Sequence, residues 1–321
     1  MMAISNTPAL ADIHSLFSNH DPHETWGKAA DIIGSINPAY DFSILRTAFD
    51  DVMRLFHGTY PGYCAIQTLY HDLPHTLDVF LCAARLTHGV HVSGTVLADH
   101  EITLVLISAL MHDIGYAQRI EEETGTGAQF TQEHVNRGVK FMQRYLTAQN
   151  LPHAWAAPLE LMMRSTEHMK DFSKNIFPDE RVRLFAQMVG TADLVGQMAD
   201  RTYLEKLLYL YLEFKEAQLG NYQSLYDMLR RSRNFYEVTR QQRLDADFGS
   251  LYTKFASHFK NTMGVENNYY LESMERNMAY LSQATRLDEL ACLAMLKRGG
   301  IVEKSRILDY TGQPRVTDAA P

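Results

Sequence analysis

The sequence predicts an all-α fold, on three observations. Apolar residues recur at helical spacing through most of the chain. No segment alternates apolar and polar residues as a half-buried strand would. One unbroken apolar run, LVLISALMHDIGY from Leu104 to Tyr116, is too short to span a bilayer but suits a helix buried on all sides.

With 321 residues, 46% of them hydrophobic, the chain can build one sizeable core with a helical extension. A formal net charge of -8 argues against a dedicated nucleic-acid binder. The three cysteines, Cys64, Cys82 and Cys292, are scattered without metal-type spacing. That points to a reducing compartment, so a cytoplasmic location is expected, and it removes thiolate as a ligand. The start, MMAISNTPALADIHSLF, lacks a basic segment followed by a continuous apolar stretch, so no signal peptide is expected, and no membrane partner.

Residues 1–64 read as N-terminal helices packing on a core. A short helix fits between Pro8 and Pro22, and longer ones fit Glu24–Ile36 and Ser43–Phe56. GTYPG, from Gly58 to Gly62, reads as a turn. Pro74 suits a first helical turn, so His75 to about Thr87 is predicted helical, with His71 and Asp72 in the loop before it. The apolar Leu104–Tyr116 helix follows, ended by Gly115, then a solvated acidic loop from Glu121 to Gly127. Thr131 reads as the N-cap of a helix to about Leu146, with His134 at its third position. Pro152–His168 and Asp179–Ala199 read as two more helices. In the second, Asp193 falls among apolar positions, and Gly190 and Gly196 allow close backbone approach.

Residues 65–220 thus read as the central helical core and 221–311 as a helical extension. The Leu- and Tyr-rich Leu204–Phe214 reads as core or subunit interface. Arg230, Arg231, Arg233, Arg240 and Arg243 read as a solvated basic face. Residues 312–321 read as a disordered tail.

Six polar residues sit awkwardly on these apolar helices: His75, His112, Asp113, His134, His168 and Asp193. Apart from the adjacent pair, each comes from a different helix, and a bundle can bring such residues together in its interior. Buried imidazole and carboxylate are costly unless something binds both, and a metal ion does so. Four imidazoles and two carboxylates suit two divalent first-row cations, Mn, Fe, Co or Zn, with Mn or Fe favoured; Mg suits so many imidazoles less well. The dipeptide alone carries little weight, since His-Asp also occurs at His20-Asp21 and His71-Asp72. His57, His88, His91, His100, His153 and His258 fit no ordered pattern.

The order H, HD, H, H, D resembles that of the HD-domain superfamily of metal-dependent phosphohydrolases, over roughly residues 65–200. The resemblance implies an HD-domain helical bundle. His75, His112, Asp113 and Asp193 would hold a first metal, His134 and His168 a second, with Asp113 bridging. YHDLPHTLDV, from Tyr70 to Val79, is further similar to the YHNxxHxxDV signature of class I cyclic nucleotide phosphodiesterases. That likeness implies His71 as proton donor to the leaving oxygen and Asp78 as a carboxylate that fixes the His75 imidazole. Asp72 stands where that family has Asn, and no stretch aligns with its purine-selecting glutamine and flanking aromatics.

The implied function is a phosphodiesterase acting on a nucleotide or cyclic (di)nucleotide through a metal-activated hydroxide, with His71 and Asp113 catalytic. A di-iron oxygenase of the same fold and a non-catalytic signalling module are the alternatives. The partner expected is a phosphorylated small molecule, and the sequence is compatible with a homodimer.

Overall fold

The computed structural model describes residues 16–17, 21–122, 125–168 and 170–311. The helix expected after Pro8 falls almost wholly, and the tail from residue 312 wholly, outside the described residues. The fold is all-α: the described residues form thirteen α-helices and no strand, only a single antiparallel bridge between Tyr63 and Arg119. None of these helices is long and apolar enough to cross a membrane.

Local sequence sets most boundaries. Asp21 caps the first helix, α1 (Pro22–Ile36), by accepting from His23 N at 2.7 Å and Glu24 N at 3.0 Å. Helix α2 (Ser43–Phe56) buries Leu45, Ala48, Phe49, Val52 and Leu55 on one stripe. Asp72 caps α3 (Leu73–Val92), its carboxylate taking His75 N at 2.9 Å. Two of the three His-Asp dipeptides therefore owe their aspartate to helix capping.

Helix α3 is buried on nearly every side and packs on α1, on α4 (Asp99–Met111), on α7 (Glu180–Ala199) and on α10 (Phe255–Met263). Helix α4 is the expected apolar one, buried from Glu101 to Met111. It stops before Gly115: His112 is its C-cap, and Ile114–Tyr116 forms a 3-10 turn. That turn lies against α5 (His134–Ala148), while α6 (Ala156–Arg164) packs on α4 and α7.

The chain then runs through α8 (Tyr203–Glu216) and α9 (Leu225–Thr239), which continues as a π-helical segment, Arg240–Asp247. After α10 come α11 (Tyr269–Ala284), α12 (Glu289–Met295) and α13 (Ile301–Thr311). Helix α11 packs on α7 and α13 on α8, so helices beyond residue 221 share one continuous cluster of buried side chains with the rest. The Arg face expected in α9 is only partly solvated. Arg230, Arg231 and Arg233 are exposed, Arg240 is half-buried, and Arg243 is buried.

Candidate metal centre

The six polar residues meet where α3, α4, α5 and α7 face one another. His75 sits in the first turn of α3, and His112 and Asp113 follow the end of α4. His134 opens α5, and Asp193 lies in the middle of α7. His75, His112, Asp113 and Asp193 are all nearly inaccessible.

Asp113 Oδ2 lies 3.0 Å from His112 Nε2 and 3.2 Å from His75 Nε2. Asp193 Oδ1 lies 3.5 Å and 3.7 Å from the same two nitrogens. The remaining oxygens face outward: Asp113 Oδ1 is 3.4 Å from His134 Nε2, and Asp193 Oδ2 is 3.5 Å from His168 Nε2. Each carboxylate thus divides its oxygens between two groups of imidazoles. The resemblance implied that division for Asp113 alone.

The tautomers are constrained. His112 Nδ1 donates to Ala109 O at 2.8 Å and His134 Nδ1 to Thr131 O at 2.6 Å. In their neutral forms both rings therefore direct the Nε2 lone pair inward. His75 Nε2 and His112 Nε2 approach to 3.2 Å, and Asp113 Oδ2 is buried with no hydrogen-bond partner in good geometry. Lone pairs converging on lone pairs, with an orphaned carboxylate oxygen among them, fit a cation, and His75, His112 and Asp193 offer ligand atoms that all lie within 4.8 Å of one another.

Without a cation, protons must satisfy the cluster. Burial would lower His112, but the charge of Asp113, 3.0 Å away, outweighs it and pushes the ring up to about 9. His75 is pushed down to about 4 by burial, against the pull of Asp113. Burial also lowers His134, and burial with the nearby Arg243 charge brings His168 down to about 3. Asp193 rises to about 7 through burial and the Asp113 charge, whereas the His112 and His71 charges, outweighing burial, hold Asp113 well below the carboxylate range. Mostly neutral imidazoles are the form that metal binding requires.

His71 stands beside this group, its ring 5.8 Å from that of His75 and 6.2 Å from that of His134. Its Nδ1 lies 2.6 Å from Glu213 Oε2 on α8, and Glu213 Oε1 accepts from Tyr70 N and His71 N. Burial opposes charge on His71, but Glu213, with Asp113 behind it, pushes the imidazole up to about 9. Tyr116 is sandwiched between the His71 and His134 rings at 4.7 Å and 4.6 Å.

Sequence reasoning did not single out Glu213. A signal was present: Glu205 and Glu213, about two helical turns apart on α8, are carboxylates in a run otherwise rich in Leu and Tyr. Gln197 was also missed. It donates to Asp193 Oδ1 at 3.2 Å and accepts from Tyr70 OH at 2.6 Å, fixing the Asp193 rotamer from one turn away. Among the described residues no hydrogen bond joins Asp78 to His75.

Two expected positions differ. Thr131 does not cap α5; its hydroxyl bonds Ala128 O, Glu133 is the N-cap, and His134 is the first helical residue. His168 is not at a helix end either, because α6 stops at Arg164 and Glu167-His168 follow in a turn, with 33% of the His168 side chain exposed. Arg137 and Arg164, both close in sequence to proposed ligands, are engaged elsewhere. Arg137 pairs with Glu122 and donates to Gly115 O and Ala117 O, and Arg164 pairs with Glu160.

Gly115 keeps its place through contact. A Cβ there would lie 1.7 Å from His134 O, so the 3-10 turn and α5 meet backbone to backbone. Gly190 similarly admits the Phe248 ring, 2.4 Å from where a Cβ would lie, whereas a Cβ at Gly196 would make only ordinary contact with the backbone at Val79. Gly115→Ala is expected to cost about 3 kcal/mol or more in urea unfolding, because neither backbone can yield cheaply. A cost below about 1 kcal/mol would show that the contact relaxes.

Comparison with curated proteins gives no match, and comparison with solved structures gives none either. Over residues 118–251, a stretch carrying His134, His168, Asp193 and Glu213, the chain is similar to the Npun_R2479-like family.

Proposed function

We propose that the chain is a metal-dependent phosphohydrolase of the HD-domain type, a phosphodiesterase whose substrate is a nucleotide or a cyclic (di)nucleotide. The observation that carries this reading is the pairing of His71 with buried Glu213 beside a cluster of inward-facing imidazoles and carboxylates. The proposed ligands are His75, His112, Asp113 and Asp193 in one group and His134 and His168 in the other. Divalent cations held there would supply Lewis-acid charge and lower the pKa of bound water to about 7.

The chain's own residues account for the rest. Glu213 keeps the proton on His71 Nδ1 and favours the imidazolium, leaving Nε2–H as the donor for a departing oxygen. An alkoxide is a poor leaving group, so an acid at this position suits diester cleavage. Tyr116 stacks on His71 and limits its rotation, while Gln197 and Tyr70 orient Asp193. Oxygenase chemistry has no need of such a donor, which favours hydrolysis. A cytoplasmic location belongs to the same proposal and rests on the three scattered cysteines, odd in number and without metal-type spacing.

The test is turnover of Mn- or Fe-loaded protein on a panel of linear and cyclic nucleotides and dinucleotides, with products separated by chromatography. Metal-dependent release of a phosphomonoester is expected. Dioxygen consumption with no hydrolysis of any panel member would overturn the proposal in favour of the oxygenase.

A further inference from the structure

We propose that Arg243 is a positioning residue for His168, delivered by the π-helical segment Arg240–Asp247, so that the C-terminal third of the chain builds the second metal position. This rests on the metal reading above and extends it to a residue far away in sequence.

His168 lies beyond the end of α6 with a third of its side chain exposed, so no regular element holds it. Arg243 supplies an anchor. One arm of its guanidinium donates to the carbonyl oxygen of Glu167, the residue before His168, and the other reaches Asp247 Oδ2 at 3.1 Å.

The backbone around Arg243 is unusual. Phe248 N bonds Arg243 O at 2.8 Å, a π-type turn, and Ser250 adopts a left-handed φ of 54°. π-Helical turns are rare and occur frequently at functional sites. Here the turn puts Arg243 and Phe248 on one side, with the guanidinium 5.7 Å from the Phe248 ring. Phe248 is buried against Phe172 and under Gly190, where a Cβ would lie 2.4 Å from the ring. Gln187 Nε2 also donates to Asp247 O at 2.8 Å. The segment is therefore fastened to α7, which carries Asp193, and to the turn that carries His168. It sets the two relative to each other, where Nε2 and Oδ2 stand 3.5 Å apart.

The test is Mn2+ binding to the full chain, followed by electron paramagnetic resonance and calorimetry, with thermal unfolding in parallel. Wild type is expected to bind two ions. Arg243→Met is expected to weaken one site by about 10–100-fold, as loss of an orienting partner typically does, and to leave the other unchanged. His168→Ala should weaken the same site, and the double variant should show no further loss, because the two residues act as one unit. Arg243→Lys should recover part of the affinity, since an ammonium can hold the carbonyl without forking to Asp247. Wild-type affinities at both sites of Arg243→Met, or equal weakening of both with a fall in Tm, would overturn this inference alone. A wild type that binds no Mn2+ would overturn the metal reading as well, and one that binds a single ion would remove the second position.

Discussion

Replacing His71 by alanine is expected to lower kcat by about 10²–10⁴-fold while leaving the metal content of the chain unchanged. His71 touches none of the proposed ligands closely, and its strong partner is Glu213, 142 residues away. The metal positions should therefore survive its loss. Glu213→Gln gives a sharper form of the test. An acid works only while protonated, so the rate should fall as pH rises through the His71 pKa. Glu213 and Asp113 together raise that pKa to about 9 in the metal-free site, and bound cations act in the opposite direction. Removing the Glu213 charge is expected to move the alkaline limb of the kcat profile to lower pH. A profile that stays in place, or full activity in His71→Ala, would show that another group donates the proton.

Asp113→Ala is expected to abolish turnover and strip both cations, since the Asp113 oxygens face His75 and His112 on one side and His134 on the other. The variant should elute from gel filtration with metal content at background, measured by mass spectrometry. His134→Ala, which removes a ligand from one group only, should retain one ion. Retention of two ions by Asp113→Ala would end its bridging role.

The helix class and most residues of the candidate site were legible in the sequence because burial leaves a periodic record. His75 opens a buried helix, His112 closes an apolar one and Asp193 falls among buried apolar positions, and that conflict marks them without any knowledge of their partners. What stayed illegible has two causes. The first is competition by short side chains for backbone groups. Ser165 and Thr166 bond the carbonyls of Met162 and Met163, ending α6 one turn before His168, and Thr131 bonds backward to Ala128 where it was expected to cap α5. The second is sequence distance. Glu213 and Arg243 read as ordinary charges on helical faces, because the groups they bind, at His71 and Glu167, are encoded by no local spacing.

The measurement that tests the account most directly is anomalous diffraction at the Mn edge from crystals of the full chain grown with Mn2+. Two peaks are expected within about 5 Å of each other, as in other two-metal sites. One should lie among His75, His112, Asp113 and Asp193, and the other between Asp113, Asp193, His134 and His168. Absence of anomalous density among these residues at saturating Mn2+, or an ion bound only elsewhere on the molecule, would contradict the metal centre and the hydrolytic function built on it.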